Sequence, residues 1–158
     1  MTDEKIKIYT EKIAKANRTE LIVLLYDMFL DYISDARDCF KKDDMFEFTL
    51  NIKRAEKVLM HLEDSLDFTY PISNNLYSLY VYCQRVITQT IYKKDIFYLP
   101  EAEKVITSLR GSFEEIAKTD KSESMMKNTE NIVYGMTYGK NDINKMTDSS
   151  DDTRGYFA

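Results

Sequence analysis

Residues 17–40, NRTELIVLLYDMFLDYISDARDCF, read as one helix with more apolar surface than a single core contact requires. Asn17 can cap its start by accepting from the Glu20 backbone, and the Glu20 side chain can reach back to the Asn17 amide, the reciprocal arrangement of a capping box. At the helical repeat Leu21, Leu24, Leu25, Met28, Tyr32, Ala36 and Cys39 share one stripe, which suffices for a core. A second stripe of Ile22, Tyr26, Phe29, Leu30, Ile33 and Phe40 lies beside it. Asp27, Asp31, Ser34 and Asp38 are left for a narrow wet edge. The apolar arc spans about 240°, roughly twice that of an ordinary surface helix. Such a helix is either wrapped on two sides by its own chain or faces a partner.

Outward from this helix the same periodicity recurs. KKDD supplies a turn, Asp43 or Asp44 a cap, and Phe48, Ile52, Ala55, Val58, Leu59, Leu62 and Leu66 form the stripe of a helix ending near Asp67. Pro71 suits the first turn of a third helix, whose stripe is Leu76, Leu79, Tyr80, Cys83, Val86, Ile87 and Ile91. A fourth starts near Tyr98 or Pro100 and carries Ala102, Val105, Ile106, Leu109, Phe113 and Ile116. Gly111 inside it points to a close packing contact or a slight bend. Long helices with short connections predict an all-α chain, an antiparallel up-and-down four-helix bundle over residues 17–119. Residues 1–16 precede it, and Ile6, Tyr9 and Ile13 give them the pattern of a short amphipathic helix that must dock or fray. From 120 to 158 the chain turns polar and predicts a mobile C-terminal tail, interrupted by the apolar island ENIVYGMTYGK around Tyr134–Tyr138.

The chain has 158 residues and a net charge of −5, which argues against a nucleic-acid binder built on clustered Lys and Arg. No apolar run approaches a membrane span, and the first residues lack the hydrophobic region of a signal peptide, so no membrane insertion and a cytoplasmic location are expected. Cys39 and Cys83 sit on core stripes and read as small buried hydrophobes rather than as a disulfide or metal pair.

Little in the sequence points to catalysis, a metal or a cofactor. His61 is the only histidine and projects away from the Leu59–Leu62–Leu66 stripe, so it is expected to be exposed. A histidine phosphotransfer domain is the alternative that such a residue raises, but Glu63 and Asp64 beside it would repel an incoming phosphate. A helical di-iron site needs inward Glu-x-x-His pairs, and Val58 stands where the Glu would be. Glycine-rich phosphate loops are excluded before Gly111, the first glycine. Twelve tyrosines and eight phenylalanines remain, most suited to a core margin, where the ring packs and the hydroxyl reaches water. Those left at a surface suit helix-in-groove recognition.

Glu20-Leu21 followed by Leu25-Tyr26-Asp27, combined with Asn75-Leu76 followed by Leu79-Tyr80, resembles the flagellin-specific secretion chaperones, the FliS family. IKRAEKVLMHLEDSLDF and EAEKVITSLRGSFEEI occur between and after these in the family's order, so that the resemblance runs from about Ile13 to Ala117. It implies a non-enzymatic cytosolic chaperone that holds the C-terminal segment of flagellin, prevents premature polymerisation and assists its export. Components of the flagellar export apparatus stand as a further partner class. On this reading Ile22, Tyr26, Phe29, Leu30 and Ile33, with Tyr77 and Val81 of the third long helix, are expected to bind the client. Ile6, Tyr9 and Ile13 are expected to cover that groove until the client displaces them. A helical adapter for another partner is the blander alternative.

Overall fold

The computed structural model describes residues 3–126; the apolar island at Tyr134–Tyr138 and the rest of the expected tail lie outside the described residues. Among the described residues there are five helices and no strand: α1 (Asp3–Lys15), α2 (Arg18–Lys41), α3 (Met45–Asp64), α4 (Ile72–Lys93) and α5 (Leu99–Thr119). Local chemistry sets the boundaries. The Asn17 side chain accepts from the Glu20 amide and the Glu20 carboxylate accepts from the Asn17 amide, each at 2.9 Å, completing the capping box. Asp44 caps α3 by accepting from the Glu47 amide. Pro71 stands at the start of α4, and Pro100 occupies the first turn of α5, where a missing N–H costs no helical bond.

α2 packs on α3 and on α5, and α4 packs on both of those, so the four long helices close a ring around one core. Asp27 pairs with Arg110 while Arg37, further along α2, pairs with Glu103, earlier in α5. These two helices therefore run in opposite senses. The same holds for α2 and α3, where Phe40 meets Phe48 and Arg18 donates to the Ser65 carbonyl. The core holds Tyr26, Phe29, Ile33 and Ala36 of α2, with Phe48, Ile52 and Leu59 of α3, Tyr80, Cys83 and Ile87 of α4, and Leu99, Ala102 and Ile106 of α5.

The structure departs from the sequence reading at several positions. Leu79 and Ile116, placed on core stripes, are exposed. A methyl group added at Gly111 would meet nothing within 4 Å, so this glycine serves no close approach. Cys83 is buried but Cys39 only partly so, and both are free thiols. The start of the expected tail is bonded to the helices. Asp120 accepts from the Thr19 hydroxyl at 2.5 Å, and the Met125 amide donates to the Ala16 carbonyl at 3.0 Å, so residues 120–125 run beside the α1–α2 junction.

Candidate functional site

The wide apolar arc of α2 is buried at its centre and half-exposed at its flanks. Tyr26, Phe29, Ile33 and Ala36 recur at i, i+3, i+7 and i+10 and are fully buried. This corrects the assignment of Tyr26, Phe29 and Ile33 to an outward stripe. A helix lodged between α3 and α5 buries the middle of its apolar arc, whereas the sequence reading divided the arc into an inner and an outer half. Tyr26 can be interior because its hydroxyl meets that of Tyr80 at 2.5 Å, satisfying two buried polar groups at once. Burial raises the ionisation of both phenols above the ordinary tyrosine range, so the pair stays neutral. Of the five α2 residues named for client contact, Ile22 and Leu30 remain half-buried at the core margin.

Ile22 joins a second set of side chains. It lines a surface cleft with Leu21, Leu25, Leu66 and Phe68 at the end of the molecule formed by the start of α2 and the end of α3. Phe68 is 54% exposed, and its ring meets that of Tyr77 edge-on, with centroids 5.9 Å apart. The loop that presents Phe68 is fixed by its neighbours. The Asp67 carboxylate accepts from the Thr69 amide at 3.0 Å and hydroxyl at 2.7 Å, which keeps its pKa below the usual carboxylate value, and the Ser73 hydroxyl donates to the Asp67 carbonyl. Tyr77 and Val81 then line one shallow cleft on the outer face of α4, and Val81, Thr88 and Tyr92 line the next, of about 560 Å³. Tyr77 is 45% exposed and Tyr92 87%.

The result is a run of apolar and aromatic surface from Ile22 through Phe68 and Tyr77 to Tyr92. The expected pair Tyr77 and Val81 is thus brought together, and Ile22 is connected to it through Phe68; Leu30 is not placed in this run. The sequence reading did not name Phe68 or Tyr92 for client contact. A signal was present: α4, ISNNLYSLYVYCQRVITQTIYK, contains no Asp or Glu in a chain that has 27 of them. A solvent-facing helix surface without carboxylates is one that water alone has not shaped.

α1 occupies a different side of α2. The Tyr9 hydroxyl donates to Asp31 Oδ2 at 2.7 Å and Lys5 Nζ lies 2.7 Å from Asp31 Oδ1. Burial, then the Asp31 carboxylate, raise the Tyr9 phenol well above its ordinary pKa. Next to Asp31 along the helix, Asp27 is paired with Arg110, which also reaches Glu114 at 3.1 Å. Leu24, two turns before Asp31, is buried although it stands outside the core cluster, and it lines a cleft with Lys12 and Ala16. α2 is therefore covered on two sides by its own chain. Asp31 is about half a turn round the helix from Ile22 at 3.6 residues per turn, so α1 rests on the charged edge and not over the stripe that Ile6, Tyr9 and Ile13 were expected to cover. Ile6 is exposed, Ile13 half-buried, and no residue of α1 is fully buried.

Other reactive groups are isolated. Burial pushes the Cys83 thiol up to about 12, which leaves it protonated and inert. His61 is exposed on the last turn of α3. Among the described residues no group of three or more His, Cys, Asp or Glu side chains is arranged to hold a metal ion, and no helix is long and apolar enough to cross a membrane.

Residues 4–120 match the family described as Flagellar protein FliS. The chain is also 25% identical over 104 residues to the flagellar secretion chaperone FliS of Bacillus subtilis (strain 168), an alignment that covers 66% of this chain and 78% of that protein.

Proposed function

Because the chain belongs to the FliS family, we propose that it is a non-catalytic flagellar export chaperone whose client is the C-terminal segment of flagellin. On this reading it works in the cytosol, keeps flagellin from polymerising early and delivers it to components of the export apparatus. The helices would form an antiparallel up-and-down four-helix bundle, a rigid post around which an extended client can wrap. The observation that carries the reading is the apolar run Ile22–Phe68–Tyr77–Val81–Tyr92 on the outside of a helix ring whose core is already complete without it. Such a surface gives a client two kinds of contact: aromatic faces for its apolar side chains, and the Gln84, Thr88 and Gln89 side chains for its backbone. A client that is disordered when free spends a few kcal/mol on ordering, so several such contacts must act together.

The test replaces Tyr77 and Val81 with aspartate. Neither is part of the buried core, so helical content and melting should be preserved while capture of flagellin falls at least tenfold, as expected for loss of contacts of about 2 kcal/mol each. Unchanged capture by Tyr77→Asp with Val81→Asp would remove α4 from the client surface.

A further inference from the structure

On α4, Tyr77, Val81, Arg85, Thr88 and Tyr92 stand at i, i+4, i+8, i+11 and i+15, one row along the helix. Tyr77 lines the first of the two clefts on this face, about 230 Å³ in volume, and Tyr92 lines the second. Val81 and Arg85 line both. Arg85 is exposed and is the one charged side chain of the row.

Among the described residues every other arginine is engaged: Arg18 with the Ser65 carbonyl, Arg37 with Glu103, Arg54 with the Asn51 side chain, and Arg110 with Asp27 and Glu114. Arg85 has no hydrogen bond or ion pair among them. Its spacing explains this, because the positions three and four residues away are Val81, Tyr82, Thr88 and Gln89, none of them acidic. Glu101 of α5 does reach α4, but it accepts from the Tyr82 hydroxyl at 2.5 Å. A guanidinium is a planar fork of donors that fits a carboxylate through two parallel bonds. While the face is open, water meets those donors. A client that covers the apolar side chains on either side removes that water, so the guanidinium opposes binding unless the client brings an acceptor for it.

We infer that Arg85 is the specificity-determining residue of the α4 surface, pairing with an Asp or Glu carboxylate of an extended client segment whose bulky apolar residues sit against Tyr77 and Tyr92. This rests on the reading of the chain as a flagellin chaperone. At about 1.5 Å per residue, Arg85 is roughly 12 Å along α4 from Tyr77 and roughly 10 Å from Tyr92. Extended chain advances about 3.3 Å per residue, so the client acid stands about three or four residues from an apolar residue on each side. A net charge of −5 disfavours an acidic segment in general, whereas the carboxylate-free α4 accepts one, so the same pair fixes the register of the client and the face it takes.

The experiment measures binding of purified flagellin to the full chain and to Arg85→Lys, Arg85→Gln and Arg85→Glu. All three replacements suit an exposed helix position, so helical content and melting should be unchanged. Arg85→Gln is expected to bind about tenfold more weakly and to lose less affinity as salt rises, with Arg85→Lys between it and the unaltered chain and Arg85→Glu weakest. Flagellin variants in which each Asp and Glu of the C-terminal segment is changed in turn to Lys then identify the partner. One of them should restore binding to Arg85→Glu while binding the unaltered chain poorly, an exchange that a merely structural role would not produce. Equal affinity of Arg85→Gln and the unaltered chain, or weak binding by Arg85→Glu that no client variant restores, overturns the inference and leaves the chaperone reading intact. Failure of the unaltered chain to bind flagellin overturns both.

Discussion

On one face of α2, Tyr26, Phe29 and Ile33 are wholly buried among α3, α4 and α5; on the opposite face α1 rests on Asp31 through Tyr9 and Lys5 and contributes no fully buried residue. Both faces are covered, but by different physics. The first is held by dehydrated apolar area and by the buried Tyr26–Tyr80 hydroxyl pair, so separating it exposes the core. The second is held by polar contacts whose groups water can satisfy equally well once they part. A short helix attached in the second way is marginal by itself and can leave without unfolding the ring. The apolar surplus of α2 and the detachability of α1 are therefore separate matters, since α1 sits on the edge with the fewest apolar groups.

Substitutions should separate the two faces by magnitude. Phe29→Ala removes a fully buried ring and should cost about 3–5 kcal/mol of unfolding free energy, read from urea titration, with α1 lost together with the rest. Tyr26→Phe or Tyr80→Phe leaves the other hydroxyl without its partner and should cost about 1–3 kcal/mol, whereas the double change should cost less than the sum of the two. On the opposite face, Asp31→Ala should change global stability by less than about 1 kcal/mol. It should nevertheless speed amide exchange throughout α1, while exchange in α2–α5 stays slow. Equal acceleration in all five helices would mean that α1 is part of the cooperative core.

The smallest effects are those of pH on the two polar attachments, and their signs differ. The docked Tyr9 phenol has a raised pKa, so its contribution is complete below the ordinary tyrosine value near 10 and declines as pH rises past that value toward the docked one. α1 should loosen in alkali before the ring does. Asp120 has a lowered pKa, chiefly through the Thr19 hydroxyl, so its contribution is present above the ordinary carboxylate value and is lost as pH falls through the docked one. Residues 120–125 should loosen in acid, and NMR shifts of Thr19 and Ser122 followed through both ranges would show it. Release of both attachments at the same pH would contradict their separate origins.

Helix boundaries were legible because each is written in its own few residues: the Asn17–Glu20 box, Asp44, Pro71 and Pro100 act locally and need no knowledge of neighbours. The rotation of α2 was not. An apolar arc wider than half the helix leaves rotation undecided, and the deciding facts, the meeting of Tyr26 with Tyr80 and of Asp27 with Arg110, involve residues far apart in sequence. For the same reason Tyr26, Phe29 and Ile33 read as surface when they are core. Tyr77 and Val81 were legible as outward positions from the phase of the α4 stripe. Phe68 was not, because a loop residue has no periodicity and its orientation comes from the Asp67 bonds.

The claim that the client lies on the Ile22–Tyr92 side of the molecule is tested most directly by a photoreactive benzoylphenylalanine placed in turn at Tyr77, at Tyr92 and at Ser34, an exposed position on the charged edge of α2. Irradiation with flagellin should give crosslinks from Tyr77 and Tyr92 and none from Ser34. Crosslinks from Ser34 alone would put the client on the edge where α1 docks and contradict the account.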